Sequence, residues 1–366
     1  MNKYAQMISQ LKTPEVMKQL TYIYGQREGM LVSQTARYTR LLKRHEEIVN
    51  NSDNLLMISA PGRTEIGGNH TDHNRGKVLA AAVNLDTLAA VTPRNDNIVN
   101  IHSEGYAPMS VDLNDLAMVE AEKGTTAALV RGVANKLKEE GYAIGGFDAV
   151  MTSTVRGGSG LSSSAAVEVL LCAIFDELYN GGHALDAKHR ARISQYAENV
   201  YFGKPCGMLD QMASSLGGLA YMDFKEDDPE LQAVSYDFAA KGYALVVVNT
   251  GGSHDDLTDD YAAVPAEMRA VAAFFGESSL RRVQIRKEVG RPLRRDSLPG
   301  FQIGITDAFL RVLIAAQNVV GQDVELPAIA AVCLRNGIGV PFEEEFYNFH
   351  VLQRGSPPVY IGSSPI

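Results

Sequence analysis

The chain has 366 residues and a mass of 39.7 kDa, a length that suits about two domains. Hydrophobic residues make up 45% and charged residues 21%, which excludes wholesale disorder and predicts a large core. Lys and Arg number 34 against 43 Asp and Glu, a net charge of −9, which argues against nucleic acid as the main ligand.

Residues 1–50 read as helices: Met7, Leu11, Val16 and Leu20 are loosely periodic, and Thr35–Val49 is amphipathic and charged. Leu55–Ala60 predicts a buried strand, and Lys77–Val91 alternates in a strand-like way. Ile98–Leu113 fits further strands, Thr125–Glu140 a helix, and Phe147–Val155 a strand. Ser164–Leu178 is apolar almost all round, so a buried helix is expected. Asp186–Phe202 predicts another helix, Met212–Leu216 a short one, and Tyr243–Asn249 a central strand. Strands and helices mix without strict alternation, which predicts an α+β fold. Seven basic residues fall between Arg281 and Asp296, a pattern that suits a solvated helix. No run approaches the roughly 18 apolar residues of a membrane helix. The opening MNKYAQMISQLKTPEV lacks the order of a signal peptide. Cys172, Cys206 and Cys333 form no C-x-x-C pair, which argues against a disulfide framework or a structural zinc. The expected address is the cytoplasm, with no membrane partner.

Chemistry concentrates in four segments. Gly157-Gly158-Ser159-Gly160-Leu161-Ser162-Ser163-Ser164-Ala165 stands between a predicted strand and the buried helix. Glycines let backbone N–H groups turn toward an anion, and the helix adds unpaired amides and the positive end of its dipole. The hydroxyls of Ser162, Ser163 and Ser164 add donors for phosphate and ligands for Mg²⁺. The alternative is a plain Gly/Ser turn with a helix cap. No Walker A sequence occurs, because Gly76-Lys77 is followed by Val78. The segment from Ala60 to Asn74 holds Arg63, Glu65, His70, Asp72 and His73 near glycines. These suit sugar hydroxyls and a reacting centre, although without further context a solvated loop is the favoured explanation. His70, Asp72 and His73 lack the usual zinc spacing. Glu198-Asn199 and Gly203 to Gln211 follow, with Asp210 either a catalytic carboxylate or an acid at a helix start. Cys206 reads as a packed thiol. Last, Asn249 to Tyr261 is a strand end leading into an acidic loop.

In this order the segments resemble the GHMP small-molecule kinases, galactokinase most closely. The family pattern P-G-R-V-N-L-I-G-E-H-T-D-Y-N stands here as PGRTEIGGNHTDHN. P-x-G-x-G-L-S-S-S-A stands as RGGSGLSSSA, and A-E-N-x-F-x-G-x-P-C-G-x-M-D-Q as AENVYFGKPCGMLDQ. The resemblance runs from about residue 20 to about residue 280. It implies a two-domain α+β fold: an N-terminal ribosomal-protein-S5-like domain over 1–225 and a C-terminal ferredoxin-like domain over 226–366. It implies transfer of the ATP γ-phosphoryl group to the anomeric hydroxyl of galactose, with ATP and Mg²⁺ as cofactors and a monomeric chain.

By the same resemblance, Asp210 takes or orients the hydroxyl proton and Arg63 is its cationic partner, which keeps the carboxylate charged. Asn69, His70, Asp72 and Tyr261 fall in the sugar-contacting region. Gly157, Gly158, Ser159, Gly160, Leu161, Ser162, Ser163 and Ser164 form the phosphate loop, with Ser164 and Glu198 as metal ligands. Among the departures from the pattern, Glu65 replaces Asn, Asn69 replaces Glu, His73 replaces Tyr, and Arg156 replaces Pro. Asn69 brings no charge to the sugar 6-hydroxyl region, so an altered sugar preference is expected. The family's third motif, G-G-G-F-G-G, has no counterpart; Asn336-Gly337-Ile338-Gly339-Val340 is the nearest stretch. A truncated, frameshifted or rearranged C-terminal region, and impaired turnover, are therefore expected. The alternatives are a galactose- and ATP-binding sensor or a kinase for another sugar.

Overall fold

A computed structural model describes residues 3–27, 29–68, 70–238, 240–247, 258–283, 347–353 and 359–363. The chain divides into two compact units, one of residues 1–64 and 81–218, the other of 65–80 and 219–366.

The first unit begins with three helices, α1 (Lys3–Gln10), α2 (Pro14–Tyr24) and α3 (Met30–Ile48). Thr13 caps α2 with its hydroxyl, and Pro14 occupies the first helical position, where its missing N–H costs nothing. The sheet follows: β1 (Leu56–Gly67), β2 (Lys77–Pro93), β3 (Ile98–Ser103), β4 (Met109–Asp112) and β5 (Phe147–Ser153). Its order is β4-β3-β5-β2, with β1 also paired to β2. β3 and β5 are parallel, while β2 runs antiparallel to β5 with Val91 opposite Ala149. Residues 86–92 of β2 are buried on both faces, which explains its nearly continuous apolar sequence. Ala89 and Val91 face a core built with α4 (Thr126–Glu139) and α5 (Ser163–Tyr179). Leu88 and Ala90 face the other way, into a core with α1, α2 and α3. Strand alternation thus places two helical layers on opposite faces of one sheet.

α5 is buried as expected: Leu170, Leu171, Ile174 and Phe175 are fully inside, each contributing about 2 kcal/mol by burial. The predicted helix over 186–202 is α6 (Ala187–Tyr196) followed by a π-helical turn over Ala197–Phe202. α7 (Leu209–Leu216) closes the unit.

In the second unit, β6 (Leu219–Asp223) and β7 (Glu230–Val234) are antiparallel. β8 (Tyr243–Val246), β9 (Tyr347–Gln353) and β10 (Val359–Ser363) form a three-stranded sheet of order β10-β9-β8. Among the described residues β8 is therefore an edge strand rather than a central one, since an apolar run alone does not count its neighbours. The helix α8 spans Thr258–Phe274. The basic run lies outside the described residues beyond Val283, as do the stretch around Gly337 and the acidic loop up to 257. Among the described residues no helix is long and apolar enough to cross a membrane.

Candidate active site

Arg63 sits on β1 itself, not on a loop after it. The strand runs through the polar segment because Gly62 lets it pass close to the phosphate-loop segment: a Cβ there would meet the Leu161 carbonyl at 2.8 Å. The Arg63 N–H donates to that same carbonyl at 3.0 Å. Strand and loop are thereby locked together.

From this position the Arg63 guanidinium reaches Asp210, in the first turn of α7. Nε donates to Oδ1 at 2.6 Å and Nη2 to Oδ2 at 2.7 Å, a bidentate fork. Nη1 donates to the Gly160 carbonyl at 2.6 Å. Ser162 donates its hydroxyl to Asp210 Oδ2 at 2.6 Å. The arginine side chain is 8% exposed and the aspartate 24%, so the carboxylate is the open member of the pair. Among the phosphate-loop residues, Gly158 and Gly160 have positive φ, 67° and 71°, conformations glycine adopts freely. Ser162 also has positive φ, 60°, a strained conformation of the kind that gathers at active sites. Ser159 turns back onto the Arg156 carbonyl at 2.6 Å. Gly157 lies exposed in the loop, and the Leu161 side chain is buried as an anchor. Ser163 and Ser164 open α5, where the first N–H groups have no helical carbonyl to take them.

Ser164 donates to Glu198 Oε1 at 2.9 Å. Glu198 stands on the π-helical turn, a geometry that often re-aims a functional side chain. Its second oxygen accepts from Gln211 Nε2 at 2.7 Å, and the same amide donates to Glu168 Oε2 at 3.1 Å. Burial pushes the Glu198 and Glu168 carboxyls above their ordinary range; the charge of Glu198 adds to this for Glu168, and that of Asp210 for Glu198. Burial likewise raises the half-buried Cys206 thiol, with both glutamates contributing. Sequence reasoning missed Gln211 and Glu168 as parts of this cluster. The signal for Glu168 was its place as the only charge within the apolar run SSAAVEVLLCAIF.

The sugar-side positions belong to the second unit. His70, at φ 49°, precedes a 3₁₀ turn over Thr71–Asn74. Its backbone N–H donates to both oxygens of Glu65, at 3.1 and 3.2 Å, and its Nε2 is 3.4 Å from Glu65 Oε2. Asp72 Oδ1 lies 3.7 Å from His73 Nδ1. Thr71 is buried beneath Gly76, where a Cβ would sit 2.1 Å from the threonine hydroxyl. Asn69 lies outside the described residues, and Tyr261 is on α8 with its side chain outside them. Among the described residues no three His, Cys, Asp or Glu side chains gather as a metal site.

Residues 43–93 match the galactokinase galactose-binding signature, and residues 128–218 match the GHMP kinases N terminal domain. A galactokinase of Streptomyces coelicolor is 36% identical over 228 residues, which cover 62% of this chain and 58% of that one. The chain thus spans less than two thirds of that relative's length. The crystal structure of Lactococcus lactis galactokinase complexed with galactose is similar at a TM-score of 0.65 and 25% identity. The match covers 78% of this chain and 74% of that one. The chain is thus similar to GHMP kinases over residues 128–218 and to the galactokinase galactose-binding signature over residues 43–93, and its α+β fold resembles that of a galactokinase.

Proposed function

We propose that the protein is a galactokinase-like sugar kinase that moves the γ-phosphoryl group of ATP to the anomeric hydroxyl of galactose. The observation that carries this reading is the Arg63–Asp210 fork, placed beside the opening of α5.

Asp210 orients the sugar hydroxyl and takes its proton as the oxygen bonds to the γ-phosphorus. The bond from that phosphorus to the bridging oxygen breaks, and ADP leaves. Arg63 and Ser162 hold the carboxylate so that one geometry serves every turnover. The α5 N-terminus and the glycines at 157, 158 and 160 face nucleotide phosphates with N–H donors, in a helix field that favours negative charge. Ser164 and Glu198 offer hard oxygen ligands side by side, a donor set that fits Mg²⁺, which commonly takes one or two carboxylates plus substrate phosphates. When bound, the ion neutralises charge that develops on the phosphoryl oxygens. Gln211 fixes the second Glu198 oxygen, so that carboxylate is aimed before any ion arrives. His70 and Asp72 serve the sugar.

A coupled ADP-release assay over galactose, N-acetylgalactosamine, arabinose and mevalonate tests the reading. Galactose is expected to give the highest kcat/KM; a preference for mevalonate contradicts the proposal. The absence of a G-G-G-F-G-G stretch keeps a second reading in view, a galactose- and ATP-binding protein of low turnover. Calorimetric binding of both ligands without ADP release selects it.

A further inference from the structure

The N-terminal helices carry a groove that the kinase reading does not use. Its lining comes from α3, from Met17 of α2 and from Lys12 in the turn between α1 and α2, all within the first unit. Inward, α3 packs through Tyr38, Leu41, Leu42 and His45. Outward, Val32, Ala36, Arg40, Lys43 and Glu47 recur at three- and four-residue spacing and so share one face. From Val32 to Ile48 the helix runs about 24 Å. The groove along it has a volume of about 1090 Å³.

Its apolar carbon is left open. Met17 and Leu31 are half-buried in the lining, while Val32 and Ile48 are 76% and 38% exposed. One exposed aliphatic side chain needs no explanation, but several gathered in a concave surface mark a binding site. Its charge is the reverse of the chain's. Lys12, Arg40, Lys43 and Arg44 line the groove against the single acid Glu47, whereas the whole chain carries −9. Among the described residues, no ion pair or hydrogen bond engages the side chain of any of these four cations. Cations grouped around exposed apolar carbon complement a partner that is both acidic and apolar.

Shape selects among such partners. A bilayer has no ridge to enter a concave groove. Single-stranded nucleic acid stacks its bases on aromatic rings, and no residue lining this groove is aromatic. An amphipathic helix meets both demands: its apolar ridge enters the groove, and acids on its flanks meet the cations. A length of about 24 Å corresponds to about 16 residues of such a helix.

We propose that this groove docks an acidic amphipathic helix of about four turns, contributed by a partner protein. None of its residues belongs to the site described above, so the inference stands apart from the kinase reading.

The test is fluorescence anisotropy on the full chain. The probe is a labelled peptide of about 16 residues with Leu along one helical face and Glu on the others. Saturable binding in the micromolar range is expected, weakening as salt rises. Arg40→Glu/Lys43→Glu and Val32→Asp/Ala36→Asp are each expected to weaken it about tenfold or more. All four positions are exposed, and circular dichroism melts check that the variants fold. A second peptide with Lys in place of Glu should bind Arg40→Glu/Lys43→Glu more tightly than the first peptide does. Four results each overturn the proposal. These are no saturable binding of the Glu peptide, equal affinity for a shuffled peptide whose Leu residues scatter over every face, undiminished binding by the folded variants, and tighter binding of phosphatidylglycerol vesicles or of an RNA oligonucleotide at the same groove.

Discussion

Two parallel N–H···O bonds fix Asp210 on Arg63, and the arginine is in turn fixed by the Gly160 carbonyl. Lysine carries the same charge but has no fork, so it cannot hold both carboxylate oxygens and the carbonyl at once. Arg63→Lys is expected to lower kcat by about 10² to 10³, the usual cost of losing one preorganised donor. Galactose affinity should change much less, which steady-state kinetics beside calorimetry will separate. Equal losses in kcat and affinity would show that Arg63 binds substrate rather than serving the transition state.

At the scale of elements, two buried polar knots tie the N-terminal helices to the sheet. Asp86 on β2 accepts from Tyr24 of α2 at 2.6 Å, and from Arg37 of α3 and Ser59 of β1. Arg37 also donates to the Thr152 carbonyl of β5 at 3.0 Å. Asp86→Asn leaves a buried guanidinium without its counter-charge, and is expected to cost about 3–5 kcal/mol in chemical denaturation. A cost below about 1 kcal/mol would mean that packing alone holds these helices.

The second knot is His45 on α3, fully buried. Tyr4 gives its proton to the Asn51 carbonyl at 2.6 Å, so its oxygen accepts from His45 Nδ1 at 2.9 Å. That leaves Nε2 as acceptor for Thr92, 3.5 Å away. Burial lowers the imidazole pKa to about 4 from an ordinary 6.5. Between these values the unfolded chain binds the proton and the folded chain does not, so stability rises with pH across this window. It is complete above about 6.5 and is lost as pH falls toward 4. The loss between pH 7 and pH 5 is about 2 kcal/mol from this group. Urea titrations at the two pH values, repeated on His45→Gln, will read it; an unchanged slope in the variant removes His45 as the cause.

Across the whole molecule, what the sequence disclosed depended on how local the signal was. The strand-forming apolar run of β2, the apolar girth of α5 and the glycine-rich segment before it were all plain in the residues. So were Arg63 and Asp210 as members of known motifs, although they stand 147 positions apart. Hidden were features that only tertiary contact creates. The course of β1 through Arg63 depends on a close approach at Gly62. Ser162 serves Asp210, a residue far along the chain, as well as standing in the phosphate loop. Gln211 joins two glutamates that no spacing relates.

The central claim is that this chain phosphorylates the anomeric oxygen of galactose and that Asp210 handles the proton. Phosphorus NMR of a reaction with ATP and galactose tests it most directly, run in parallel with Asp210→Asn. The account predicts a sugar 1-phosphate signal that grows with ADP in the unaltered protein. In the folded variant it should grow about 10² to 10⁴ times more slowly. A phosphate at another hydroxyl, no galactose-dependent ADP, or an equal rate in Asp210→Asn would contradict it.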